Sequence, residues 1–293
     1  MGVILGLTGA VCWGMADFAA RFASRRVGAY RTLFFMQFFG FLALSAYLKF
    51  TGGFSHVAPG WRPWALTVVA GLLNVTASLS LYHSFEIGVM SIVGPVSSSY
   101  PALTVALALA SGERIHAPRG IGMAVTLTGV ILAAMSFAPK SIDPSASDDA
   151  SSGAHLSRGV GWAILAAIGF GFMFWFLGFH VIPLVGDAVS VWVMRLTALV
   201  SLAVFALPAR QSIRLPHGGV WWMLAAVGLM DTAAFVSNNA GLHIGPVSVV
   251  SVLASLYGAV TVLLSWLFLR ERLERSQWLG IALIFVGIVC VSI

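Results

Sequence analysis

Residues 64–110 read WALTVVAGLLNVTASLSLYHSFEIGVMSIVGPVSSSYPALTVALALA. Two apolar runs, 64–85 and 91–110, stand either side of a short Glu86–Met90 connection. Each has the length of a membrane-crossing helix, about 17–25 mostly apolar residues. Neither shows the alternation over about ten residues that marks a barrel strand. Working outward, eight more runs of this kind appear, at 3–22, 33–50, 120–137, 159–179, 188–207, 220–242, 247–269 and 278–293. Ten spans are therefore expected, in an all-α integral membrane protein. Composition agrees: 59% of the 293 residues are hydrophobic and only 9% are charged. Soluble domains carry about 25% charged residues, so a chain this poor in charge needs lipid around it.

The opening stretch recurs. Shifted by 157 positions, Gly71, Leu72, Gly88 and Ser91 fall on Gly228, Leu229, Gly245 and Ser248. Tyr100, Thr104 and Val105 fall on Tyr257, Thr261 and Val262, and Gly14 falls on Gly171. One residue further on, Glu113-Arg114 meets Glu271-Arg272, Gly122 meets Gly280 and Gly129 meets Gly287. Residues 139–157, PKSIDPSASDDASSGAHLS, are rich in Ser, Asp, Pro and Ala and hold little to bury; they read as a mobile linker. The expected organisation is a five-helix repeat at 1–138, the linker at 139–157 and a second five-helix repeat at 158–293. An odd number of helices per half makes the second enter from the opposite face, so the repeats are inverted.

The positive charges have a topological meaning. Odd-numbered connections carry Arg21, Arg25, Arg26, Arg31, Lys140, Arg158, Arg210, Arg214, Arg270, Arg272 and Arg275; even-numbered ones carry Lys49, Arg62, Arg114 and Arg119. The positive-inside rule puts the first group in the cytoplasm and both termini outside. The basic pI of about 9.9 thus reflects membrane topology, and no basic stripe interleaved with exposed aromatics suggests nucleic acid. Trp61, Trp64, Trp221, Trp222 and Trp278 stand near span starts, as in an interfacial aromatic belt.

Ionisable residues inside spans cost about 2.5–3.5 kcal/mol on insertion scales and turn toward a partner or a water-filled path. Arg195 and Asp231 lie deepest, near the middle of the seventh and eighth spans. They are read as a substrate-contact pair or as a structural ion pair. Asn74, Ser78 and Tyr82 follow at steps of four on one helical face, continued by His83. Asn74 corresponds to Asp231 and Tyr82 to Asn239, which follows Asn238, so matching depths are polar in both halves. Trp13 and Trp175 are deep enough to line the same cavity. The fourth span holds Pro95, Ser98, Tyr100 and Pro101; the ninth begins Gly245-Pro246 and carries Ser255, Tyr257 and Gly258. Prolines and glycines at matching places are hinge candidates, since interrupted helices mark transport sites. Asp17 and Arg21, four apart, read as a local ion pair. Cys12 and Cys290 stand alone in apolar runs, and no catalytic, metal-binding or cofactor motif is present. No cofactor is expected.

With these residues in place, the chain resembles the EamA branch of the drug/metabolite transporter superfamily. The likeness rests on the ten spans in two halves, Trp13-Gly14 in the first, and Arg195 in the seventh, with Gln37 at the matching place in the first half. It rests also on Pro101 before Gly112-Glu113-Arg114, with Gly122 and Gly129, repeated as Arg270-Glu271-Arg272, Gly280 and Gly287. Arg270 replaces a glycine of that pattern. The resemblance implies alternating-access export or exchange of a small metabolite, amino-acid-like in some members, across the cytoplasmic membrane of a bacterium. The expected partners are a small-molecule substrate, the lipid bilayer and protons as a candidate coupling ion. A flippase for lipid-linked substrates and an intramembrane enzyme are the alternatives. The resemblance also implies cytoplasmic termini, against the charge count.

Overall fold

The computed structural model describes residues 1–51, 53, 58–88, 90–134, 159–208, 210–214, 216, 218–269 and 275–292. The expected linker and the Glu271-Arg272 pair lie outside them. All regular structure among the described residues is helical: α1 (Gly2–Val27), α2 (Ala29–Thr51), α3 (Arg62–Ile87), α4 (Met90–Ser98), α5 (Pro101–Ala110) and α6 (Ala117–Ala134), then α7 (Val160–Phe176), α8 (Ile182–Val185), α9 (Asp187–Ala206), α10 (Val220–Ile244), α11 (Val247–Ala254), α12 (Tyr257–Leu269) and α13 (Arg275–Ser292). A π-turn, Leu177–Val181, joins α7 to α8 without a break in the helix. Seven helices are long and apolar enough to cross a membrane, and three shorter apolar ones accompany them.

The fourth and ninth expected spans are each two helices. The first breaks at Ser99–Tyr100, where Pro101 cannot donate to the preceding turn, and the second at Ser255–Leu256. Serines bond backbone carbonyls around the breaks: Ser97 and Ser99 donate to Gly94 and Val96, and Ser255 donates to Val252, each at 2.7 Å. Side-chain hydroxyls of this kind let interrupted helices persist away from water.

Packing repeats between the halves. α1 lies along α10 and α7 along α3; α2 packs on α9, and α6 on α13. Small residues permit the closest approaches. A Cβ on Gly14 would stand 2.5 Å from Val260, beside the Tyr257 carbonyl; one on Gly171 would stand 2.8 Å from the Tyr100 carbonyl, beside Leu103. Val260 and Leu103 are themselves repeat counterparts. The hydroxyl of Thr104 donates to the Gly171 carbonyl at 2.9 Å, and that of Thr261 to the Gly14 carbonyl at 3.4 Å. The same four-residue contact is thus built twice, once across each junction of the halves.

The connections sort to two ends. Arg25 donates to the Gly88 carbonyl, Arg31 to the Arg214 carbonyl, and the Ala29 amide reaches Glu86, which gathers the first, third and seventh connections at one end. At the other end the Ala58 amide reaches the Leu184 carbonyl, and Glu113 reaches the start of α11. The outer faces carry large apolar side chains such as Val200, Phe205, Leu267 and Phe268, the surface expected against lipid.

Candidate functional site

A small cavity of about 30 Å³ lies among α1, α3, α7, α10 and the two helix breaks. Its walls are Trp13, Asp17, Ser78, Leu81, Tyr82, Tyr100, Phe170, Phe174, Asp231, Phe235 and Tyr257. Eight of these form four repeat pairs at the 157-residue shift: Trp13 with Phe170, Asp17 with Phe174, Ser78 with Phe235, and Tyr100 with Tyr257. The inverted arrangement brings counterpart positions to one central space, while the side chains have diverged.

Asp231 is the electrostatic centre. It accepts a hydrogen bond from Trp13 Nε1 at 3.0 Å and pairs with the guanidinium of Arg195. Arg195 is 1% exposed, donates to Gln37 Oε1 at 2.5 Å, and lies 5.1 Å from the centre of the Phe235 ring. A buried guanidinium requires such partners. Gln37 and Arg195 match at a shift of 158, one residue beyond the shift that relates the cavity pairs, and here they touch.

Aromatic rings form most of the wall. Trp13 meets Phe235 at 5.0 Å and Phe174 at 5.6 Å edge-on; Tyr100 meets Phe174 at 5.0 Å. These separations suit favourable ring pairs. The Tyr100 hydroxyl donates to the Ser251 carbonyl and that of Tyr257 to Ser97 Oγ, both at 3.1 Å. Each tyrosine therefore ties its own broken helix to the other half. Tyr82 donates to the Met36 sulfur at 2.8 Å.

Of the residues named from sequence, Trp13, Ser78, Tyr82, Tyr100, Asp231 and Tyr257 meet at the cavity, with Arg195 behind Asp231. Asn74 lies beneath, accepting from Ser78 at 3.5 Å. The others lie elsewhere. His83 faces a lateral groove beside Glu86 and Trp162. Trp175, one residue past the inward-facing Phe174, points away and donates to Ser111 Oγ at 2.8 Å. Asn239 donates to Ser190 Oγ at 3.1 Å, and Asn238 is fully buried against α1 near Gly9. Ser98 and Ser255 are buried in the broken helices. Among the hinge candidates, Pro95 lies inside α4 and Pro101 opens α5. Gly245 is extended between α10 and α11, with Pro246 as the first cap of α11, and Gly258 makes close contact with Ser98.

Asp17 does not pair with Arg21. It is 6% exposed, faces the cavity, and has no ion pair or hydrogen bond among the described residues. Tertiary packing turns that face of α1 inward, which a rule for isolated helices does not foresee. Phe170, Phe174 and Phe235 were also missed; repeat alignment with Trp13, Asp17 and Ser78 is the signal that finds them. Glu113 is a further residue of consequence. Its carboxylate accepts from the Val247 and Ser248 amides at 3.0 and 3.2 Å and from the Ser248 hydroxyl. It thereby satisfies amides left free at the start of α11 from the opposite half.

The model of the EamA-like transporter family matches residues 1–135 and again 157–293. The chain belongs to the EamA-like transporter family. An uncharacterized transporter of Archaeoglobus fulgidus is 25% identical over 300 residues, covering 98% of this chain and 96% of its own. An uncharacterized protein of Methanocaldococcus jannaschii is 30% identical over 135 residues, 46% of this chain but 96% of its own length. A solved crystal structure matches with a TM-score of 0.74 at 18% identity, covering 99% of this chain and 96% of that one; that likeness is one of fold. This EamA-like protein is thus an integral membrane protein of a family that points to small-solute transport and away from enzymatic chemistry.

Proposed function

We propose that the chain is a secondary transporter that moves a small solute, by export or exchange, through the central cavity by alternating access. The observation that carries this reading is the cavity wall itself. Its residues come in counterpart pairs from two halves, beside two helix breaks whose tyrosines cross-link the halves. Broken helices meeting at a repeat interface are where secondary transporters bind their cargo. Rocking one half against the other exposes such a site to each side in turn.

In this reading ten spans form halves 1–138 and 158–293, joined by a linker at 139–157. The basic odd-numbered connections face the cytoplasm. Cysteine replacing the exposed Arg26 is then labelled from the cytoplasm, and cysteine replacing the exposed Arg114 from outside, in a chain freed of Cys12 and Cys290. The reverse pattern inverts the orientation.

Transport itself is tested by counterflow. Purified protein in liposomes, preloaded with a candidate metabolite, accumulates the labelled form transiently and saturably. An imposed pH gradient tests protons as the coupling ion. Movement of lipid-linked head groups with no soluble-solute counterflow favours a flippase instead.

A further inference from the structure

We infer that the lateral groove along α3 holds one phospholipid whose headgroup carries a primary amine. The lipid belongs to the leaflet at the end that carries the first, third and seventh connections. The groove encloses about 670 Å³, within the usual range of small-ligand sites, about 300–1,000 Å³. Its floor is the face of α3 between Leu72 and Glu86. The starts of α2 and α7 and the end of α9 form its walls, so both halves contribute. At 1.5 Å per residue that face is about 21 Å long. One leaflet with its headgroup layer is about 20–22 Å deep. Leu72 stands near the middle of α3 and Glu86 at its end, so the groove runs from the bilayer centre to its surface. Ser78 and Tyr82 turn toward the central cavity from a different face of α3. The lipid site is thus separate from that cavity and stands apart from the transport reading.

Polarity changes along the groove. Thr76, Ser80 and Ser201 line it, yet each hydroxyl donates to a carbonyl of its own helix, at 3.0, 2.8 and 3.1 Å. The Tyr30 hydroxyl likewise goes to the Leu202 carbonyl. With those donors engaged, the deeper part presents apolar surface from Leu72, Val75, Leu79, Leu165 and Phe205, which suits an acyl chain. The polar side chains that remain, His83, Glu86 and Gln211, belong to the surface end. Glu86 accepts from the Ala29 amide and meets the His83 ring, both at 3.4 Å and both through Oε2. Its Oε1 has no partner among the described residues. No lysine or arginine among those residues lines the groove. An ammonium group with N–H donors therefore complements Glu86 by both charge and hydrogen bond. A choline headgroup brings the charge without an N–H, and a glycerol headgroup brings donors without the charge. Arg26 and Arg210, both exposed at this end, supply positive charge for the phosphate.

Native mass spectrometry of the purified full chain tests this. Dioleoyl phospholipids with ethanolamine, choline or glycerol headgroups are titrated into the same detergent. The first ethanolamine lipid should bind about threefold or more tighter than either of the others. Glu86→Gln, which keeps an oxygen for the Ala29 amide, should bring the ethanolamine lipid level with the choline lipid. Leu79→Trp, which fills the middle of the groove, should weaken the first binding step for all three. If one variant does not fold, the other decides together with the wild-type order; if neither folds, the wild-type order decides alone. Equal binding of the ethanolamine and choline lipids, tightest binding of the glycerol lipid, or no retained lipid overturns the inference. An ethanolamine preference that survives Glu86→Gln, or binding untouched by Leu79→Trp, overturns it as well.

Discussion

The rings of Tyr100 and Tyr257 stand 6.4 Å apart and within 15° of parallel, although the two residues belong to different halves. Each begins or precedes the second segment of a broken helix, and each hydroxyl reaches into the other broken helix. Phenylalanine keeps the ring contact and removes the hydroxyl. Tyr100→Phe and Tyr257→Phe should each cost about 0.5–1.5 kcal/mol of stability; the tyrosines are counterparts, but their acceptors differ, a backbone carbonyl at Ser251 and a side-chain hydroxyl at Ser97. Thermal unfolding in detergent measures both. Unchanged stability in both variants would show that neither hydroxyl bond holds the halves together.

The Arg195–Asp231 pair invites a double-mutant cycle. Asp231→Asn leaves a buried guanidinium with only Gln37 and the Phe235 ring, and should destabilise by about 3–5 kcal/mol. Asp231→Asn with Arg195→Gln removes the uncompensated charge and should recover part of that loss. If both variants unfold at the same temperature, the pair is not what holds Arg195 in place.

Glu113 binds the first amides of α11 across the boundary between halves. Glu113→Ala frees them and should cost about 1–2 kcal/mol. Hydrogen exchange should rise at Val247 and Ser248 while α12 keeps its protection. Unchanged exchange at those two amides would show that the cap is dispensable.

Gly14 and Gly171 sit where their helices pass closest to the broken ones. Gly14→Val and Gly171→Val should each overpack a formed contact, costing about 1–3 kcal/mol and lowering folded yield. Gly161, with nothing within 4 Å of an added Cβ, is the matched control. Equal tolerance at all three positions would mean that the close approaches are not needed.

Much of the fold was legible because lipid allows few solutions. Apolar runs of the right length became helices, most with ends a few residues beyond the expected ones, as in α1 and α3. The break before Pro101 was signalled by proline chemistry, whereas the break at Ser255–Leu256 carries no proline and needed the tertiary structure. The π-turn at Leu177–Val181 has no local signature. It shifts the register of the helix that follows, so periodicity misleads there. At the site, Tyr100 and Tyr257 were visible because a polar aromatic recurring at one depth is uncommon in a span. Phe174 was invisible among many phenylalanines, and its neighbour Trp175 drew attention that belonged one residue earlier. Asp17 was misread because its apparent partner shared a sequence spacing, while its surroundings come from α3, α10 and the broken helices.

The touching of Gln37 and Arg195 has a consequence for how such a molecule can arise. Two positions related by an internal two-fold that also contact each other lie on its axis, and a residue on an axis faces its own copy. In a symmetric assembly of two identical half-length chains, arginine there would set guanidinium against guanidinium in a dry interior, which Coulomb repulsion opposes. A self-complementary amide such as glutamine is permitted, since it both donates and accepts. A centre with a single buried cation is therefore open only to halves that differ at this place, as Gln37 and Arg195 do.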